Sequence, residues 1–218
     1  LVGSEMCIRD RHFTAPQAWQ GKPVSLVFEG VYQTALVYLN GWLLTRNVNG
    51  YAEFTVEAGP YLKYGADNLL KVIADNSLEP NSRWYTGSGI YRPVRLLVGN
   101  KVYLPQDTVR ITTREADEGF ALLDVTAQVQ SASTVTERVT LQQTICREGT
   151  AVLTDRQNLL LQPGESRTVS FRYCVDSPAL WSPENPNLYT STMQVLEGEE
   201  ELDLSLIHIS EPTRHAQI

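Results

Sequence analysis

The sequence contains few of the residues that disulfide frameworks and metal sites require. Its 218 residues include 3 cysteines and 3 histidines. Three cysteines do not build the disulfide framework that holds many small secreted domains together. No apolar run reaches the roughly 20 residues that cross a bilayer, so we expect no membrane-spanning segment.

The sequence also has fewer basic than acidic residues, and the chain is short for a multidomain enzyme. The 18 Lys and Arg residues face 25 Asp and Glu residues, which gives a formal net charge of −7. A protein that binds nucleic acid without reading its sequence needs a basic surface to neutralise phosphates, so we expect no nucleic-acid partner. A (β/α)₈ enzyme barrel takes about 250 residues by itself, so this chain does not hold one beside other domains.

The two ends of the chain are related to each other as DNA. One back-translation of residues 1–11 has a reverse complement that encodes residues 204–213 and opens the codon of Arg214. The pattern resembles the transposase end sequence that tags DNA fragments for sequencing. We therefore predict that 1–11 and 204–218 are adapter artefacts and that the natural segment is 12–203. The alternative is a genuine amphipathic tail.

Removing these ends leaves few candidate metal ligands. Only His12, Cys146 and Cys174 remain of the histidines and cysteines, so we expect no metal site and no cofactor. Alternation along their strands places Cys146 and Cys174 on outward faces, and we favour two free thiols. They can pair only if their strands are neighbours, with Cα atoms within about 7 Å.

The first half of the natural segment is rich in strand signals. Residues 24–29 and 34–39 combine β-branched and aromatic residues, and the apolar segment 94–98 closes the set. Asn40-Gly41 predicts a type I′ hairpin turn, because both residue types tolerate a positive φ. The apolar run 68–74 is typical of a strand that is covered on both faces.

The second half alternates with a period of two. Apolar residues recur at every second position of 121–129 and 169–175, and at 139, 141 and 145 of the segment between them, as in antiparallel sheets with one wet face. Residues 188–195 supply a further strand. We predict an all-β protein with two sandwiches, 12–100 and 101–203, joined near Gly99 to Pro105.

One long connection between strands has an unusual composition. Residues 75–92 place Arg, Trp and Tyr among Asn, Ser and Gly. Aromatic faces stack on the apolar face of a sugar ring, and amides and guanidinium groups bind its hydroxyls, so the composition suits carbohydrate. The alternative is that Trp84 and Tyr91 only plug the end of a sandwich.

Four motifs, which follow one another along the chain in the family's order, resemble those of glycoside hydrolase family 2. They are 28–31 (FEGV), 35–41 (ALVYLNG), 83–92 (RWYTGSGIYR) and 180–189 (LWSPENPNLY). The resemblance implies that 12–100 is the jelly-roll, sugar-binding-like domain of that family and that 101–203 is its immunoglobulin-like domain. The family's usual lead-in is absent, which implies a jelly roll truncated at its N-terminal side and an unpaired strand edge.

The resemblance also implies that the catalytic part lies elsewhere. Family members carry two catalytic glutamates on a (β/α)₈ barrel that follows the immunoglobulin-like domain, and the acid/base glutamate follows an Asn. The sequence contains no Asn-Glu dipeptide. We therefore expect no catalytic residue in this chain, no turnover by the chain alone, and a parent that is a retaining β-galactosidase or acts on a related β-glycoside. The expected partners are the missing barrel and, through it, a carbohydrate substrate.

By the same analogy the loop residues Asn76, Asn81, Arg83 and Trp84 contact substrate or position the barrel loops. Arg92 is expected to make a buried structural ion pair or backbone bonds. Two other functions stay open at this point: a stand-alone carbohydrate-binding module, and a purely structural domain that docks to the barrel.

Overall fold

The computed structural model describes residues 6–77 and 87–209. Within these residues the regular structure is β-strand apart from two 3₁₀ helices of three residues each, which confirms the all-β class. It divides into two compact units, the first ending at Gly99 and the second beginning at Asn100. No helix in the described part is long and apolar enough to cross a membrane.

Seventeen strands and two short 3₁₀ helices are described. The first unit contains β1 (Met6–Thr14), η1 (Gln17–Trp19), β2 (Val24–Phe28), β3 (Val31–Tyr32), β4 (Thr34–Leu39), β5 (Trp42–Asn47), β6 (Phe54–Glu57), η2 (Gly59–Tyr61), β7 (Asp67–Asp75), β8 (Gly89–Ile90) and β9 (Val94–Val98). The second contains β10 (Val102–Tyr103), β11 (Arg110–Ala116), β12 (Phe120–Ser131), β13 (Glu137–Arg147), β14 (Thr150–Leu161), β15 (Ser166–Asp176), β16 (Tyr189–Glu197) and β17 (Glu200–Ile209).

The first unit is a jelly-roll sandwich of antiparallel strands. One sheet has the order β1-β7-β4-β5, a second has the order β6-β2-β9, and β3 pairs with β8. The core consists of inward side chains from both larger sheets, among them Leu26, Phe28, Val37, Leu39 and Val72. Burial of such side chains is the main favourable contribution to folding, at roughly 25 cal/mol per Å² of apolar surface.

The Asn40-Gly41 hairpin forms as predicted. The two residues have φ values of 52° and 89°, and Leu39 pairs with Trp42 across the turn. Positive φ at both central positions matches the right-handed twist of the flanking strands, so the turn sets the register of β4 and β5 next to it. Beyond Tyr38 the pairing shifts at an irregularity, and Val37 lies opposite Thr45.

The prediction for β7 was only half right. Asn68, Leu70, Val72 and Ala74 are buried, but the residues between them are only partly buried. The strand lies between β1 and β4 in its sheet, with only its even-numbered face in the core. An apolar run in the sequence does not show whether a strand is buried on both faces or on one face only.

An apolar cleft opens along one side of this sandwich. Its volume is about 790 Å³, and its lining includes Phe13 and Leu96, with Leu26, Phe28 and Val72 of the core. Strands β1 and β9 border it, and each is the outermost strand of its sheet among the described residues. The sandwich is therefore open on this side.

The second unit is an immunoglobulin-like sandwich. Strand β12 pairs with β15 and also with β10 and β11, and the facing sheet has the order β14-β13-β16-β17. The alternating residues predicted to face inward are buried, for example Val125, Leu141 and Phe171. A turn at Gln162, with Gly164 at φ 70°, connects β14 in one sheet to β15 in the facing sheet. Among the described residues this unit contains no helix.

Cys146 and Cys174 are free thiols on strands of different sheets, β13 and β15. Cys174 is exposed and Cys146 is partly buried. The favoured prediction of two free thiols therefore agrees with the structure.

The ends that we interpret as adapter-encoded take part in strands. Arg11 lies opposite Leu70 in the β1–β7 pair, and Leu204 lies opposite Gln194 in the β16–β17 pair. Ile8 and Leu206 nevertheless expose about half of their surface, 48% and 55%. Their adapter origin stays a prediction.

Candidate functional site

Three connections meet at one end of the first unit, around Tyr91. The Tyr91 hydroxyl donates a hydrogen bond of 2.8 Å to the carbonyl of Gly50, in the connection between β5 and β6. Its backbone N–H donates to the carbonyl of Gly30, 3.3 Å away, after β2. One residue of the predicted loop 75–92 therefore ties together segments that are far apart in sequence.

Two glycines allow the aromatic rings to approach the backbone. A Cβ on Gly30 would lie 2.6 Å from Cζ of Tyr91, and a Cβ on Gly50 would lie 2.4 Å from Cδ2 of Tyr32. These distances are below any ordinary contact, so the side chains of Tyr91 and Tyr32 require glycine at these positions. We call Tyr32, Tyr51 and Tyr91 the aromatic cluster.

The aromatic cluster combines one buried ring with two exposed ones. Tyr32 is buried, and its ring centroid lies 5.4 Å from that of Tyr51, tilted by 60°. Tyr51 is 61% exposed and Tyr91 is 45% exposed. The Arg92 guanidinium carbon lies 5.6 Å from the centroid of the Tyr91 ring. The surface thus offers apolar ring faces beside a planar hydrogen-bond donor.

Two asparagines fix the loop that carries Tyr51. Oδ1 of Asn49 accepts hydrogen bonds from the backbone N–H groups of Tyr51 and Ala52, at 3.0 and 3.3 Å. Nδ2 of Asn47 donates to the carbonyl of Asn49 at 2.9 Å. Side chains that satisfy nearby backbone groups in this way hold a turn in one conformation.

The predicted site residues divide between described and undescribed positions. Asn76 follows β7 at this same end and donates a hydrogen bond of 2.8 Å from Nδ2 to Oγ of Ser88, which joins the two ends of the loop. Asn81, Arg83 and Trp84 lie outside the described residues. Sugar contact by these four residues stays a prediction.

Of the two contacts predicted for Arg92, the buried ion pair was wrong, and the bonds to backbone stay a prediction. Arg92 is exposed and lies over the Tyr91 ring. An arginine next to a tyrosine can stack on the ring or form an ion pair, and the sequence does not show which of the two the fold uses.

The carboxylates at this end have structural partners. A hydrogen bond with Ser77 lowers the pKa of Asp75 below its usual value, and nearby Arg46 adds to the effect. Oε1 of Glu29 lies 2.6 Å from Nη2 of Arg95. Both carboxylates therefore contribute to the structure of this end, Asp75 through a hydrogen bond and Glu29 through an ion pair.

Sequence reasoning missed three contributors to this end of the fold, Tyr32, Asn49 and Tyr51. The segment 47–51 reads Asn-Val-Asn-Gly-Tyr, a composition typical of a turn that presents an aromatic residue. That signal was available, but its proximity to the loop 75–92 depends on pairing between distant strands. In the described part of the chain, no group of three His, Cys, Asp or Glu residues forms a metal-ligand set.

Known proteins resemble both units. Residues 102–206 match the family model described as glycosyl hydrolases family 2. The chain is 33% identical over 192 residues to the β-galactosidase BoGH2A of Bacteroides ovatus, covering 88% of this chain and 23% of that enzyme. It is 32% identical over 192 residues to a putative β-glucuronidase of Formosa agariphila, covering 88% of this chain and 18% of that protein.

Solved structures agree with these matches. A glycosyl hydrolase family 2 member from Bacteroides cellulosilyticus superposes with a TM-score of 0.88 at 30% identity, covering 96% of this chain and 29% of that one. A β-glucuronidase of Bacteroides uniformis superposes with a TM-score of 0.89 at 27% identity, covering 95% and 26%. The chain spans less than a third of the length of any of these four proteins. By sequence and by fold, the chain belongs to family 2 of the glycosyl hydrolases.

Proposed function

We propose that this chain is the non-catalytic N-terminal fragment of a retaining family 2 glycoside hydrolase. The parent would hydrolyse a terminal β-galactoside or a related β-glycoside, and 12–203 would be its natural segment. The observation that carries the proposal is the coverage: the match takes in 88% of this chain but only 23% of BoGH2A. The described residues form two β-sandwiches and no (β/α)₈ barrel.

The chemistry of the described surface supports a non-catalytic role. Retaining glycosidases need two carboxyl groups about 5–5.5 Å apart, one as nucleophile and one as acid/base. At this end of the first unit, Asp75 accepts a hydrogen bond from the backbone N–H of Ser77 and Glu29 is paired with Arg95, so both carboxylates have structural contacts. The aromatic cluster has the composition of a surface that contacts a sugar or a neighbouring loop, with no nucleophile assigned to it.

A hydrolysis assay tests this proposal. The purified chain is incubated with p-nitrophenyl β-D-galactopyranoside and with the corresponding glucuronide, and nitrophenolate release is followed against a buffer blank. We expect no release above the blank with either substrate. Turnover that copurifies with the chain and is lost in a Glu29→Gln or Asp75→Asn variant would contradict the proposal.

The second candidate is a stand-alone carbohydrate-binding module, favoured by the exposure of Tyr51 and Tyr91 beside Arg92. Glycan-array binding by the chain, lost in a Trp84→Ala variant, would support it. A purely structural domain that only docks to a barrel would bind no glycan on the same array.

A further inference from the structure

Two asparagine-glycine pairs occur in the sequence with closely similar neighbours, in 39–42 (LNGW) and 48–51 (VNGY). The side chain of an asparagine before glycine is open to attack by the next backbone nitrogen, because glycine has no Cβ to hinder the approach. Both pairs lie in connections between strands of the first unit. The local sequence predicts equal reactivity, but the structure holds the two amides in different ways.

The amide of Asn40 is held by other elements of the fold. Its Nδ2 donates hydrogen bonds of 2.8 Å to the carbonyl of Tyr61 and to Oδ1 of the buried Asn68. Its Oδ1 accepts a hydrogen bond of 3.1 Å from the backbone N–H of Leu69. Attack by the nitrogen of Gly41 has to break these hydrogen bonds and leaves a buried amide without a partner, so we expect Asn40 to react slowly.

The amide of Asn49 is instead folded back over the residues that follow it. Asn49 is exposed, and its Oδ1 accepts hydrogen bonds from the backbone N–H groups of Tyr51 and Ala52, at 3.0 and 3.3 Å. Its side chain therefore lies against the Gly50 peptide, whose nitrogen is the nucleophile. Both hydrogen bonds are made by the oxygen, so neither has to break when Nδ2 departs.

The two N–H groups at Oδ1 also favour the reaction itself. When the Gly50 nitrogen attacks Cγ of Asn49, negative charge develops on Oδ1, and donors already directed at that oxygen stabilise it. The N–Cγ bond forms and the Cγ–Nδ2 bond breaks, and Nδ2 leaves as ammonia with the proton of the Gly50 nitrogen. Water then opens the resulting succinimide, at Cγ to give aspartate or at the main-chain carbonyl carbon to give isoaspartate.

We propose that Asn49 is a modification site, at which the folded chain converts asparagine to isoaspartate with water as the only co-reactant. Asn40 is the protected counterpart in the same unit. The proposal rests on the hydrogen bonds of the two amides and does not depend on the proposed function.

Isoaspartate at this position would disturb the aromatic cluster. The main chain would run through Cβ and Cγ, and the carbonyl that accepts a hydrogen bond of 2.9 Å from Nδ2 of Asn47 would become a free carboxylate. Gly50 has no room to absorb the longer chain, because a Cβ on it would lie 2.4 Å from Cδ2 of Tyr32 and its carbonyl is bound by the Tyr91 hydroxyl. The modification should therefore displace Tyr51.

Peptide mapping by mass spectrometry measures both sites in one sample. Trypsin cuts after Arg46 and so places Asn40 and Asn49 in different peptides, and each conversion adds about one dalton. The chain is aged in warm, mildly alkaline buffer, both folded and unfolded in urea. We expect similar rates at the two sites in urea. In the folded chain, Asn40 should react at least about tenfold more slowly than Asn49, because its hydrogen bonds must break first.

Equal rates at the two sites in the folded chain would overturn the proposal, as would an unmodified Asn49 at a time when the urea sample has half converted. The variant Asn49→Asp is the matched control for the structural effect, because it carries the charge of the product on a main chain of normal length. The isoaspartate form, separated by chromatography, should unfold at a lower temperature than Asn49→Asp. Equal unfolding temperatures would refute the displacement of the aromatic cluster.

Discussion

Replacing Gly30 with alanine probes the packing of the aromatic cluster. The added Cβ would lie 2.6 Å from Cζ and 2.8 Å from Oη of Tyr91. The ring can move away only by giving up the hydrogen bond of its hydroxyl to Gly50. Overpacking of this kind costs about 1–3 kcal/mol. For a unit of about 100 residues that corresponds to a fall of about 5–15 °C in the unfolding temperature.

Differential scanning calorimetry on the chain measures the fall in unfolding temperature. The transition that the substitution shifts is assigned to the first unit. Gly87→Ala is the matched control, because a Cβ there meets nothing within 4 Å and Gly87 has no positive φ. Its effect should stay within about 0.5 kcal/mol.

A double-variant cycle separates a steric cause from a general loss of stability. If the clash is with Tyr91, the Gly30→Ala/Tyr91→Ala double variant should be destabilised by clearly less than the sum of the two single variants. The reasoning is refuted if Gly30→Ala is neutral, or if the two effects add within about 0.5 kcal/mol.

Two further predictions concern charge and strand edges. Lys101 lies 3.0 Å from the buried Glu137 and 2.8 Å from Glu197, and hydrogen bonds with Ser133 first and Lys101 second lower the pKa of Glu137. Lys101→Met should therefore cost about 1–3 kcal/mol at pH 7 in urea unfolding, a figure reduced because Lys101 is partly exposed. Because the pKa of Glu137 is lower in the folded state, its ion pair stabilises the fold at pH values above the pKa of the unfolded state, and this contribution is lost on acidification. The difference in unfolding free energy between the unsubstituted chain and Lys101→Met should therefore shrink below about pH 4.5. A difference that does not change with pH would contradict the ion pair as its cause. Leu97→Lys, on the outermost strand β9 where Leu97 is 43% exposed, should slow aggregation in light scattering without lowering the unfolding temperature. Faster aggregation than the unsubstituted chain would argue against β9 as the exposed edge.

The features that the sequence predicted well depend on local rules. The Asn40-Gly41 turn follows from the φ preferences of two adjacent residues. The inward face of β12 follows from strict alternation, which places Val125 and its neighbours in the core. The resemblance of four ordered motifs supplied the family, which no single motif would have identified.

The features that the sequence did not predict depend on contacts between residues that are far apart in the chain. Tyr32, Tyr51 and Tyr91 come together because β3 pairs with β8 and the Tyr91 hydroxyl reaches Gly50, and no local pattern encodes such pairings. Gln143 is another case: it lies on the inward face of β13, fully buried, where its amide donates to Ser191 across the sheet at 2.7 Å. The partner of the Gln143 amide nitrogen lies 48 residues away, while its buried Oε1 has no hydrogen-bond partner in the described part of the chain.

The central claim is that this chain is a piece of a larger sugar-cleaving enzyme, and the source DNA beyond codon 203 tests it most directly. The account predicts that the adapter-like codons are absent there and that the reading frame continues for about 250 further residues, enough for a (β/α)₈ barrel, with an Asn-Glu pair among them. A natural gene that encodes the residues 204–218 as they stand and then stops would contradict it.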